Sequence, residues 1–103
     1  MSKKILIVED DGNIRELLRL YLEREGYEIT EAANGEEGVE LWRKINPDMI
    51  LLDVMMPIMD GWQVCKIIRK ESKVPIIIMT AKGETFDKVN GLEMGADDYI
   101  TKP

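Results

Sequence analysis

Met49-Ile50-Leu51-Leu52-Asp53-Val54-Met55-Met56-Pro57 sets one carboxylate inside the most apolar stretch of the chain. The four residues before Asp53 are apolar without alternation, the pattern of a strand buried on both faces. Ile5-Leu6-Ile7-Val8, Pro75-Ile76-Ile77-Ile78-Met79 and the weaker Tyr99-Ile100 read the same way. Tyr27-Glu28-Ile29-Thr30-Glu31-Ala32 alternates instead, which suits a strand at a sheet edge with one wetter face.

Helical patterns lie between these strands. Ile14, Leu17, Leu18, Tyr21 and Leu22 recur at helical spacing after Asp11-Gly12-Asn13, and Gly26 closes the segment. A second helix starts after Asn34, puts Gly38, Val39, Trp42 and Ile45 on one stripe and ends before Pro47. A third takes Asp60 as its N-cap and turns Val64, Cys65 and Ile68 inward. A fourth runs from about Glu84 to Met94 on Phe86, Val89 and Leu92, closed by Gly95. Strict alternation of strand and helix calls for right-handed crossovers and a parallel sheet with helices on both faces. With five strands the expected fold is α/β in the flavodoxin-like order 2-1-3-4-5. The chain stops at Lys102-Pro103, so the single domain, 1–103, is expected to lack a closing fifth helix.

A chain of 103 residues that is 45% hydrophobic has room for one core and not for two domains. Lys and Arg total 14 against 20 Asp and Glu, a net charge of -6, which argues against sequence-independent nucleic-acid binding. Contact with DNA would need an output domain not present here. Cys65 is the single cysteine, so an internal disulfide is impossible and a reducing, cytoplasmic setting fits. The basic start Met1-Ser2-Lys3-Lys4 precedes an apolar run far too short for a signal peptide. The stretch Met49 to Met59 contains Asp53 and Pro57 and falls below the roughly 18 residues of a membrane span; no membrane partner is expected.

In this topology ligands bind outside the carboxyl ends of the strands, where the strand order reverses. That point lies between strands one and three, so Glu9-Asp10-Asp11 and Asp53 converge on one crevice. Crowded carboxylates call for a compensating charge, and a hard dication with oxygen ligands, Mg2+, is the natural one. Strand four ends in Thr80, a hydroxyl, and strand five is followed by Lys102, a point charge of the kind phosphate sites use. Acids, dication, hydroxyl and ammonium together describe phosphoryl transfer. Asp53, rigidly held behind its apolar strand, is the candidate nucleophile. Glu9 and Asp10 are the candidate metal ligands, and Asp11 falls on the helix side, where negative charge favours the positive helix end.

Ile7-Val8-Glu9-Asp10, Leu51-Leu52-Asp53-Val54-Met55-Met56-Pro57, Asp60-Gly61, Thr80-Ala81 and Lys102-Pro103 together resemble the signature of response-regulator receiver domains. The five pieces occur in order across the whole chain; each alone is weak, and the set is specific. The resemblance implies Asp53 as phosphoacceptor, Glu9 and Asp10 as the acidic pair that holds Mg2+, and the main-chain carbonyl of Met55 as a further ligand. It also implies Thr80 as switch hydroxyl, Tyr99 as switch aromatic, Lys102 as phosphate contact and a cis Lys102-Pro103 bond. The implied partner is a sensor histidine kinase. Gly91-Leu92-Glu93-Met94-Gly95-Ala96-Asp97-Asp98-Tyr99 is similar to the winged-helix transcription-factor branch, whose receivers dimerise through helix four, strand five and helix five. Asp97, Asp98 and Lys88 resemble that interface's charges.

Other functions fit less well. A flavodoxin-like cofactor binder would want hydroxyls or glycines after strand one, where this chain has Glu9-Asp10-Asp11. An aspartyl-phosphate hydrolase resembling the haloacid-dehalogenase phosphatases needs a second Asp at position 55, which is Met, and the chain has no histidine. A phosphorylatable switch, not a turnover enzyme, is therefore the expected class. A receiver fragment that self-associates is the further alternative: without a fifth helix, apolar surface beside helix one is expected to drive a homodimer, a swapped assembly or a loosely packed monomer.

Overall fold

A computed structural model describes residues 3–53, 59–80 and 98–101, with the backbone alone at Thr80 and along 98–101. Its elements in chain order are β1 Lys4–Val8, α1 Gly12–Arg24, β2 Glu28–Ala32, α2 Gly35–Ile45, β3 Met49–Asp53, α3 Gly61–Arg69, β4 Ile76–Thr80 and β5 Asp98–Thr101. The sheet runs β2-β1-β3-β4-β5, and each neighbouring pair is parallel. The expected order is thus observed. The fourth helix and the Lys102-Pro103 bond lie outside the described residues.

The unbroken apolar runs behave as double-sided strands because successive side chains point to opposite faces. Leu6, Val8, Ile50, Leu52, Ile76 and Ile78 face α2 and α3, where Val39, Trp42, Val64, Cys65 and Ile68 close the main core. Ile5, Ile7, Leu51 and Met79 face the other way, against Leu18 and Leu22 of α1. Each such buried side chain is worth about 1.5–3 kcal/mol of transfer free energy. Slipping any strand by one residue would turn both sets outside in. Trp62 of α3 is half-buried against the main core.

The helix ends follow the sequence signals. Asp11 caps α1 by accepting from the N–H groups of Asn13 and Ile14 at 2.9 and 3.2 Å. At its other end Gly26, with φ 98°, donates to the Glu23 carbonyl while Tyr27 donates to that of Leu22, a paired closure that needs a left-handed residue. Asp60 and Gln63 bond reciprocally at the start of α3, side chain to main chain in both directions. The apolar spacing of α1, however, does not translate into burial. No residue of that helix is buried, and Leu17 and Tyr21 are 55% and 61% exposed. The helix lies over β2 and β1, so the sheet beneath it meets only the Leu18 and Leu22 edge of its stripe.

The absence of a side chain at Gly38 sets how closely α2 seats on the sheet. A methyl there would come within 2.9 and 3.0 Å of the two Val8 methyls, and β-branched Val8 in a strand has little rotamer freedom to yield. Gly38→Ala is therefore expected to lower stability by about 1–3 kcal/mol through overpacking, despite alanine's better helix propensity. Urea unfolding checks this: the midpoint should fall with an unchanged slope, and a midpoint equal to or above the parent's would contradict the close seating.

Candidate functional site

The carboxyl ends of β1 and β3 lie side by side, with Val8 opposite Leu52, and each strand delivers its acid at that edge. Asp53 is the last residue of β3 and pairs with Met79 of β4. Glu9 follows β1 directly, and its N–H extends the ladder by donating to the Ala32 carbonyl at 3.1 Å. Both Glu9 and Asp53 are 0% exposed, whereas Asp10, one residue further into the turn, is exposed.

The three consecutive acids have three different environments. Glu9 turns inward, and its Oε2 accepts from the Asp11 N–H at 3.1 Å. Asp10 lies at the mouth. Asp11 is engaged with the α1 N-terminus, as its place in the sequence predicted, and takes no part in the cluster. Carboxylate oxygens of Glu9, Asp10 and Asp53 lie within 4.8 Å of one another. At that spacing and an effective dielectric near 20, two like charges repel by on the order of 3 kcal/mol per pair. Two buried oxygen donors and one exposed one, all hard and anionic, fit a small divalent cation approached from solvent. Cys65, the chain's single thiol, is a buried residue of α3 in the main core, so no thiolate joins the three carboxylates.

The remaining residues expected at the site are placed only in part. Thr80 ends β4 one residue beyond the partner of Asp53 and pairs with Thr101 of β5, so its main chain sits at the same sheet edge. Tyr99 lies in β5 opposite Ile78. Met55 and Lys102 lie outside the described residues, Lys102 following Thr101 directly in sequence. One contributor escaped sequence reasoning altogether. Arg15 of α1 donates from one guanidinium nitrogen to the Glu9 carbonyl at 2.8 Å and from Nε to Glu31 Oε1 at 3.2 Å. Its position one turn after the Asp11 cap was a hint, but the partner on β2 appears only once the strands are in register.

The chain matches the family described as response regulator receiver domain over residues 5–103. It is 55% identical over 100 residues to the transcriptional regulatory protein ResD of Bacillus subtilis, covering 97% of this chain and 42% of that protein. It is 55% identical over 103 residues to the transcriptional regulatory protein SrrA of Staphylococcus aureus, covering 100% of this chain and 43% of that one. The chain therefore spans about two fifths of the length of these curated relatives. Among solved structures, the receiver domain of the Francisella response regulator 1452 superposes with a TM-score of 0.92 at 39% identity, over 99% of this chain and 85% of that one.

Exchanging neighbouring acids separates the cluster from the cap. Mg2+ is expected to raise the melting temperature of the parent, by the equivalent of about 2.7 kcal/mol at a hundredfold excess over its dissociation constant. Asp10→Asn should shrink that rise. Asp11→Ala should cost about 1 kcal/mol of stability as a lost cap yet keep the full Mg2+ response. Equal Mg2+ responses in the two variants, read from thermal melts with and without the ion, would contradict the assignment.

Proposed function

We propose, from the premise that this chain belongs to the response regulator receiver domain family, that Asp53 accepts a phosphoryl group from a phosphohistidine of a sensor histidine kinase. Receiver domains are phosphoacceptor switches of two-component systems and not turnover enzymes in the ordinary sense. The observation that carries the assignment is the full burial of Asp53 at the end of β3, with its carboxylate within 4.8 Å of those of Glu9 and Asp10. A carboxylate held by a central strand has little freedom to lose on reaching the phosphorus.

In the proposed transfer one Asp53 carboxylate oxygen attacks phosphorus in line. A P–O bond forms as the P–N bond to the donor histidine breaks, and the imidazole nitrogen leaves with the electron pair and takes up a proton. Bound by Glu9, Asp10, Asp53 and the main-chain carbonyl of Met55, Mg2+ would supply neutralising charge for the phosphoryl oxygens. Thr80 is assigned to hydrogen-bond one of those oxygens and Lys102 to pair with another. Thr80 drawn toward the phosphate and Tyr99 repositioned with it would shift the population between two surface states around β5. The chain on this reading assists its own phosphorylation and turns over no other substrate.

The relatives named as transcriptional regulatory proteins support an output in transcription. With a net charge of -6, DNA contact would belong to an output segment of the winged-helix type outside these residues. A cytoplasmic setting accords with a single cysteine, Cys65, which is buried; no helix among the described residues is long and apolar enough to cross a membrane. Intact-mass measurement after incubation with a small phosphoryl donor and Mg2+ should show one added phosphoryl group. Asp53→Asn should abolish it and excess chelator should suppress it. An adduct that persists in the variant would sink the assignment.

Self-association of this chain is also proposed, on a separate observation: Leu17, Leu20 and Tyr21 present side chains 55%, 53% and 61% exposed on one helix. The arrangement would be a homodimer, swapped or not, joined through α1. Sedimentation velocity should show a concentration-dependent dimer that weakens in Leu17→Glu; a monomer at every concentration would rule it out.

A further inference from the structure

Three hydrogen bonds among the described residues hold Glu9, and one of them comes from a residue that the proposed chemistry does not use. Its N–H bonds the Ala32 carbonyl at 3.1 Å, its side-chain Oε2 accepts from Asp11 at 3.1 Å, and its carbonyl accepts from Arg15 at 2.8 Å. The first two restraints are local to the strand end. The third crosses from α1, and Arg15 is itself held from β2: its Nε meets Glu31 Oε1 at 3.2 Å while Glu31 Oε2 meets Arg19 Nε at 3.1 Å. Glu31 stands opposite Ile7 in the β1–β2 ladder, two residues before Glu9. The fork of a guanidinium is what allows one side chain to bond a carboxylate and a carbonyl in fixed directions together; an ammonium is a point charge without that geometry.

We propose that Arg15, steadied by Glu31, is a positioning residue that orients Glu9 and thereby sets how tightly the Glu9–Asp10–Asp53 cluster holds a divalent cation. The inference rests on the assignment of that cluster as the Mg2+ site. Partners that orient a ligand commonly change metal affinity by roughly 10–100-fold when removed. Charge alone predicts the opposite sign, because deleting a cation beside an acidic cluster should tighten cation binding. Arg19 is the internal control: it shares Glu31 and pairs with Glu23 on the outer side of the same ladder.

Calorimetric titration of Mg2+ into the chain tests this, with circular dichroism confirming the fold of each variant. Arg15→Lys keeps the charge and loses the fork, and should weaken Mg2+ binding about tenfold. Arg19→Lys should bind within about twofold of the parent, because Arg19 reaches Glu9 only at second hand, through Glu31 and Arg15. Arg15→Gln should also bind more weakly, against the direction that charge predicts. Equal affinities in the two lysine variants, unchanged or shifted together, would overturn the proposal, as would tighter binding by Arg15→Gln. A parent that binds no Mg2+ would instead remove the cluster assignment, and the role of Arg15 with it.

Discussion

Mutual repulsion of buried carboxylates is the constraint around which this molecule is arranged. Glu9 and Asp53 are both withdrawn from water, with Asp10 at the mouth above them, an arrangement that an isolated loop could not sustain. It persists because the acids are anchored to β1 and β3, whose apolar side chains fill the cores on both faces of the sheet. Burial of Leu6, Val8, Ile50 and Leu52 fixes the backbone, and the backbone fixes the carboxylates. The folded chain thus gathers three carboxylates at one edge, a place suited to positive charge.

The same arrangement accounts for how neighbouring residues divide the work. Two consecutive acids, Asp10 and Asp11, differ by one residue in the chain, yet one joins the cluster and the other caps α1. The strand-to-helix turn changes the side-chain direction at that step. Gly38 lets α2 seat against Val8, one residue before Glu9, so packing at the start of the turn is as tight as hydrogen bonding at its end. The Arg15–Glu31–Arg19 ladder then joins α1 to β2 across the same turn. Such partly exposed ion pairs contribute little stability individually; their geometric consequence for Glu9 is the larger effect.

Much of this was legible in the residues alone, for definable reasons. Unbroken runs such as Ile5 to Val8 and Met49 to Leu52 mark strands buried twice, and crossover rules then leave few sheet orders to choose from. The caps at Asp11, Asn34 and Asp60 were legible because capping depends on residues a few positions apart. The convergence of Glu9, Asp10 and Asp53 followed from topology. Sequence could not show the poor burial of α1, since its spacing is amphipathic whether or not a surface meets Leu17 and Tyr21. Nor could it show the packing of Trp62 or the reach of Arg15, which depend on contacts between elements distant in the chain.

The central claim is that the phosphoryl group resides on Asp53. Borohydride reduction of the phosphorylated chain converts an aspartyl phosphate to homoserine, and tandem mass spectrometry of the digested product then locates that residue. Homoserine at position 53 and nowhere else is the predicted result. Homoserine at Asp10 or another acid, or a phosphate that survives reduction on a hydroxyl such as that of Thr80, would contradict the account.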